Sequence, residues 1–215
     1  MVYKGFSPVA LLDSYTAERL PVISEMLNIT TGVLNKMREA PTIEGAMKRE
    51  TRMNMLGVNY RTSPIVGDEF TQTELMDAYG VLEEGVLVAG DRAPDATGLV
   101  VATSGAETKL FDVFNAACHT VLAFTPDVST ATNIPIVLGR YPMDVIRLVV
   151  VLPQGSKGTA AAQAEVVIDH SGHAYRAYLA VGVEQKVVVV RPDGVAGAIV
   201  RGVEGVKAYF DKIFV

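Results

Sequence analysis

The chain has no tryptophan and a single cysteine, Cys118, in 215 residues. One cysteine cannot close an internal disulfide, form a CxxC redox pair or build a cysteine-rich zinc site. Positive charge is also short: 19 lysines and arginines stand against 24 aspartates and glutamates, a formal net charge of −5. Nucleic-acid binders need a basic stripe for phosphates and membrane-surface proteins a polybasic one, so neither nucleic acid nor membrane is an expected partner. No apolar run approaches the ~20 residues that span a bilayer. The longest runs, Leu148 to Leu152 and Val187 to Val190, have strand length. Met1 to Pro8 does not resemble a signal peptide, and a cytoplasmic location is the expectation. Asn28-Ile29-Thr30 fits the glycosylation sequon but reads as a chance match in a helix.

What is present is ample core material. Hydrophobic residues make up 49% of the chain, and the length suits one domain plus an appended element. Ser7-Pro8 has the form of a helix opening, an N-cap hydroxyl before a proline at the first helical position. Leu12, Tyr15, Ile23, Met26, Leu27, Val33, Leu34 and Met37 follow at roughly helical spacing. Pro21 lacks an N–H and clashes one turn back, so a kink or restart is expected near Leu20. The result is a broken helical arm over about residues 8 to 39. Residues 40 to 56 are polar, with Lys48, Arg49, Glu50 and Arg52 clustered, and read as a linker or short helix. From Gly57 to Pro94 turn residues are frequent and apolar periodicity is poor, which predicts an irregular segment wrapping over something else.

Beyond Pro94 strands and helices alternate. Strands are expected at Leu99 to Thr103, His119 to Phe124, Arg147 to Leu152, Glu165 to Asp169 and Lys186 to Arg191. Helices are expected at Thr108 to Ala117 and Ala174 to Ala180. Pro192-Asp193-Gly194 predicts a tight turn joining antiparallel strands, and Val203 to Phe214 a closing helix with Val206, Tyr209, Phe210 and Ile213 inward. The expectation is an α/β, thioredoxin-like fold: arm and linker 1–56, irregular connector 57–89, thioredoxin-like domain 90–215.

Four blocks then carry a family resemblance. Leu11-Leu12-Asp13-Ser14-Tyr15-Thr16-Ala17-Glu18-Arg19-Leu20-Pro21-Val22 resembles the helix that follows the FAD domain in phenol-hydroxylase-type FAD-dependent aromatic monooxygenases. Leu56-Gly57-Val58-Asn59-Tyr60-Arg61-Thr62-Ser63-Pro64 is similar to that family's LGxxYxxSP segment. Ala89-Gly90-Asp91-Arg92-Ala93-Pro94-Asp95 resembles its PGxRAPD turn, with Ala89 in place of proline. Val189-Val190-Arg191-Pro192-Asp193-Gly194-Val195 is similar to its closing LVRPDGxV hairpin. The resemblance implies the C-terminal part of such an enzyme, a thioredoxin-like domain with its preceding helix. The family's cofactors are FAD and NAD(P)H. The GxGxxG motif of an FAD-binding Rossmann unit does not occur in this sequence.

Other candidate chemistry has bland readings. Cys118 is expected to end the first helix of the thioredoxin-like part, beside His119. A reactive thiol is one reading, but disulfide exchange needs a helix N-terminus and a resolving partner, so it reads as a small buried apolar residue. Asp169-His170-Ser171-Gly172-His173 gathers two imidazoles and a carboxylate without a fourth ligand, and reads as a solvated turn. Thr103-Ser104-Gly105-Ala106 lacks the Gly-x-Ser-x-Gly elbow, and Gly155 to Thr159 lacks P-loop spacing. No residue is assigned a catalytic, cofactor-binding or metal-ligating role. The arm's apolar stripe needs covering, by its own domain or by a second copy. Leu12, Tyr15, Ile23, Met26 and Leu27 are therefore the expected interface, to a homodimer mate or a partner protein. Two functional readings follow: a non-catalytic assembly module, or part of an aromatic monooxygenase whose flavin domain is supplied elsewhere.

Overall fold

The computed structural model describes residues 1–39, 57–71, 78–80, 86–156, 161 and 163–215. The linker with its Lys48 to Arg52 cluster lies outside them. Two 3-10 turns, Val2–Lys4 and Val9–Leu12, lead into helix α1, Asp13–Glu39. The arm thus differs from expectation in two ways. Pro8 is extended and the Ser7 hydroxyl is buried without a partner, so Ser7-Pro8 does not cap the helix. Pro21 lies inside α1, which runs on without interruption. The carbonyl that loses its donor belongs to Ala17, an exposed residue, so water can satisfy it and the helix need not end.

Eight strands among the described residues form one sheet: β1 Gly67–Asp68, β2 Leu99–Val101, β3 Glu107–Thr108, β4 His119–Phe124, β5 Ile146–Leu152, β6 Glu165–Asp169, β7 Lys186–Val190 and β8 Ala196–Val200. Their order is β1-β8-β7-β4-β5-β6-β2-β3. β4, β5 and β6 are parallel, β7 runs antiparallel to β4, and β8 closes a hairpin with β7. A parallel unit followed by a hairpin and a last helix is a thioredoxin-like arrangement. The Pro192-Asp193-Gly194 turn forms as expected, with Gly194 at φ +80.

β4 and β7 are buried along their whole length, which fits the unbroken apolar stretches at 121–124 and 187–190. Successive side chains point to opposite faces and feed two cores. Val121, Leu148, Val150, Val187 and Val189 pack with the closing helix Val203–Ile213, through Val206, Tyr209, Phe210 and Ile213. Leu122, Phe124, Val149, Val151 and Val188 pack with Leu110, Tyr178 and the connector residues Leu87 and Ala89.

The helix expected from Thr108 to Ala117 shrinks to α2, Leu110–Val113. Phe114 is already extended, and the Asn115 side chain takes the Ala117 N–H in a local turn that competes with the helix. Leu110 is buried but Phe111 is exposed, so only part of this short helix's apolar surface enters the core. The remaining α-helices among the described residues are α3, Asn133–Leu138, α4, His173–Ala177, and the closing helix, α5.

The connector does more than wrap. Gly67 and Asp68 add a parallel edge strand to β8, and Gly90 ties the connector to the sheet: Tyr60 N–H bonds the Gly90 carbonyl, and Gly90 N–H bonds that of Ala196. Gly90 has φ +100, and a Cβ there would lie 2.4 Å from the Arg61 nitrogen, with backbone on every near side. Gly90→Ala is expected to cost more than about 2 kcal/mol, read as a lowered urea midpoint with an unchanged slope.

Candidate functional site

In a thioredoxin-like fold the chemistry is sought at the carboxyl ends of the parallel strands. Here β4 ends in Thr125-Pro126-Asp127-Val128-Ser129-Thr130, with no thiol. Asp127 caps the 3-10 turn Val128–Ala131, its carboxylate accepting the Ser129 N–H at 2.8 Å, and this bond holds its pKa below the ordinary carboxylate value. The resemblance implies FAD, and these residues do not fit it. A pyrophosphate needs free N–H groups at a helix start, where this chain already places a carboxylate. The turn after β5 opens with Pro153, which has no N–H to offer.

Cys118 lies at the opposite end of β4. It does not end a helix, because α2 stops at Val113; it sits in the turn just before the strand and is half-buried rather than buried. Burial raises its pKa against the nearby Arg147 charge. That is the reverse of an activated thiol.

Asp169 to His173 does not act as one cluster. Asp169 is buried, with one carboxylate oxygen taken by the Tyr175 N–H, while His170 and His173 are exposed. Among the described residues no group of three or more His, Cys, Asp or Glu is placed to hold a metal. Thr103 to Ala106 forms a turn between β2 and β3, and most of the Gly155 to Thr159 loop lies outside the described residues.

The most developed polar site joins arm to domain. Arg191, at the end of β7, grips Glu18 of α1 with two guanidinium nitrogens, at 2.6 and 3.0 Å, and Asp193 with two contacts at 3.1 and 2.6 Å. Ser63 Oγ donates to the same Glu18 carboxylate at 2.7 Å. The Tyr60 ring lies beside both the Arg191 and Arg19 guanidinium groups. Arg61 pairs with Asp91 at 2.7 Å, and Ala93 N–H bonds the Gly194 carbonyl. The four blocks that carried the resemblance therefore touch one another. Burial works against the Arg191 charge, yet the Glu18 hydrogen bond and the Asp193 charge outweigh it and raise its pKa.

Beside this pair lies a cavity of about 480 Å³. His119 and Tyr209 contribute to its wall from β4 and α5, both buried. Burial, then the Arg191 charge, pushes the His119 pKa down to about 3, and burial raises that of Tyr209. Both are neutral at physiological pH.

The arm's interface residues behave differently from the ion pair. Glu18 and Val22, one turn apart, are the buried residues of α1. Leu12, Tyr15, Ile23, Met26 and Leu27 lie on the adjacent face and stay exposed, at 58%, 66%, 48%, 38% and 57%. The sequence reading missed Glu18 and Arg191 as a pair and His119 as a buried polar group. It also missed Lys186, whose ammonium sits 4.6 Å from the Phe70 ring and donates to the Leu179 carbonyl. The only available signal was that Glu18 and Arg191 each stood inside a family block.

No family model matches the chain. A flavin-dependent monooxygenase of Mycobacteroides abscessus is 27% identical over 168 residues, 76% of this chain and 31% of that protein. The chain thus spans about a third of that relative's length. The solved flavin-dependent monooxygenase PieE, in complex with FAD and substrate, aligns over 98% of this chain and 40% of its own, at a TM-score of 0.61 and 16% identity. The thioredoxin domain of a thiol-disulfide oxidoreductase from Bacteroides vulgatus covers 59% of this chain and 98% of its own, at a TM-score of 0.46 and 16% identity.

Two outcomes are expected. Arg191→Met leaves Glu18 buried and unpaired and costs about 3–5 kcal/mol in urea denaturation, whereas Glu18→Leu with Arg191→Met costs less than the two single changes summed. His119 is neutral when folded, with a pKa near 3 against 6.5 for the free group. Only the unfolded chain takes up its proton between these values, so stability is full above pH 6.5 and falls as pH drops toward 3. His119→Phe removes a slope of about 1.4 kcal/mol per pH unit from that window.

Proposed function

We propose that this chain, a relative of flavin-dependent monooxygenases, is a non-catalytic thioredoxin-like module that assembles through its helical arm. The observation that carries the reading is the exposed stripe Leu12, Tyr15, Ile23, Met26 and Leu27, continued by Leu34 and Met37, on a helix whose other face is ion-paired to the domain. Exposed apolar surface of this extent marks an interaction site. A second copy is the occupant we favour, because a two-fold pairing of the same helix face meets apolar with apolar. The turn after β4, with an aspartate and no thiol, fits a fold kept for its shape. The cellular setting that suits this reading is the cytoplasm, since a lone thiol gains nothing from an oxidising compartment.

A second reading is favoured by one observation, the alignment of 98% of the chain, arm included, within a monooxygenase that it covers by 40%. In it the chain completes a monooxygenase whose FAD and NAD(P)H sites lie on another polypeptide segment, with a phenolic compound as substrate class.

Sedimentation velocity on the purified chain, with an FAD titration followed by absorbance, separates these. The module reading expects a dimer at micromolar concentration, its dissociation constant raised at least tenfold by Leu27→Glu, and an unperturbed flavin spectrum. A monomer at high micromolar concentration sinks the homodimer, and a shifted flavin band sinks the non-catalytic reading.

A further inference from the structure

We infer that Met26 and Met37 are oxidation sites through which a peroxide controls assembly of the arm, an inference that rests on the homodimer reading above. Ile23, Met26, Thr30, Val33 and Met37 recur three and four residues apart along α1, the a and d spacing of a heptad, with Leu27 and Leu34 alongside. That is the pattern of a seam two helices can share. Thr30 is the polar member, and its hydroxyl turns back to the Met26 and Leu27 carbonyls at 2.9 and 3.0 Å, so its donor is already spent within the helix. Met26 is 38% exposed and Met37 46%, so both side chains are open to a small solute in the free chain.

A thioether needs no second thiol to react with a peroxide. A sulfur lone pair takes one peroxide oxygen, the O–O bond breaks, and the other oxygen leaves as water. Sulfur is oxidised by two electrons and the peroxide is reduced by two. The product is a polar sulfoxide where the seam was apolar. On assembly each sulfoxide would lose its hydration among apolar neighbours, and a pair of helices carries this cost at both methionines of each chain.

The competing sulfur is Cys118, which is half-buried. Burial raises its pKa and holds it as the thiol, the less reactive form. Sensitivity to oxidant thus falls on the arm's apolar stripe rather than on the cysteine. Assembly covers the same two side chains, so the reaction takes place on the free chain and keeps it free.

The purified chain is treated with hydrogen peroxide, the added oxygen is located by peptide mass spectrometry, and assembly is followed by sedimentation velocity. The expected result is one oxygen gained at Met26 and one at Met37, with the dimer dissociation constant raised at least about tenfold. Met26→Leu with Met37→Leu keeps the seam apolar, so this double variant still dimerises and no longer responds to peroxide. Met143→Leu, which replaces a methionine of similar exposure (43%) off the arm, responds as the unchanged chain does. Raising the chain to about ten times its dissociation constant slows oxidation at Met26 and Met37 and leaves that at Met143 unaltered. A dimer that survives oxidation of both residues, or a double variant that still loses its dimer in peroxide, overturns the inference and leaves the homodimer reading intact. A monomer at high micromolar concentration before any peroxide is added overturns both.

Discussion

The bond between Glu18 and Arg191 is the constraint on which the arm's position rests. Both groups are largely withdrawn from water, and a buried charge is tolerable only when its partners are in place. Arg191 supplies two contacts, Ser63 a third, and Asp193 balances the guanidinium from its other side. Residue 18 is thereby held against residue 191, across nearly the whole chain, with the connector clamped between. Glycine at position 90 lets the connector lie directly on the next segment, so that all four pieces close around the pair.

That bond also sets the rotation of α1 about its own axis. With Glu18 and Val22 turned inward, Leu12, Tyr15, Ile23, Met26 and Leu27 can only face outward or sideways. An ordinary amphipathic helix buries its apolar stripe and leaves its charges in water. This one does the reverse at its point of contact. Leaving such a stripe in water forgoes about 25 cal/mol for each Å² that a partner would cover. The ion pair thus leaves an apolar face exposed while fixing the helix that bears it.

Much of the fold was legible in the sequence, and the reason is physical. Strands β4, β5 and β7 are buried on both faces over most of their length, so the apolar runs at 121–124, 148–152 and 187–190 leave little ambiguity. The turn at Pro192-Asp193-Gly194 and the inward set Val206, Tyr209, Phe210 and Ile213 follow from local chemistry alone. The errors fell where local rules compete with context. Pro21 was expected to break a helix that solvent is free to support. Thr108 to Ala117 was expected to be helical, but Asn115 diverts the chain. Strand β1 is two residues long and has no periodicity to detect. The candidate site was less legible, because Glu18, Ser63 and Arg191 are polar residues whose burial depends on long-range pairing. The stripe on α1 was visible from spacing, though not the side of the helix that the domain would claim.

The sheet's two borders bear on how this molecule can associate. One border is β1, two residues whose Asp68 carboxylate is spent on the N–H groups of Phe70, Thr71 and Ala89. The other is β3, also two residues, with an exposed glutamate, Glu107. Neither offers a row of unpaired backbone groups long enough for a foreign strand to add on. Among the described residues neither border therefore suits strand exchange or edge-to-edge stacking, which leaves side-chain surfaces such as the exposed stripe on α1 for any contact with another chain. Such contact can be reversed without unzipping a sheet.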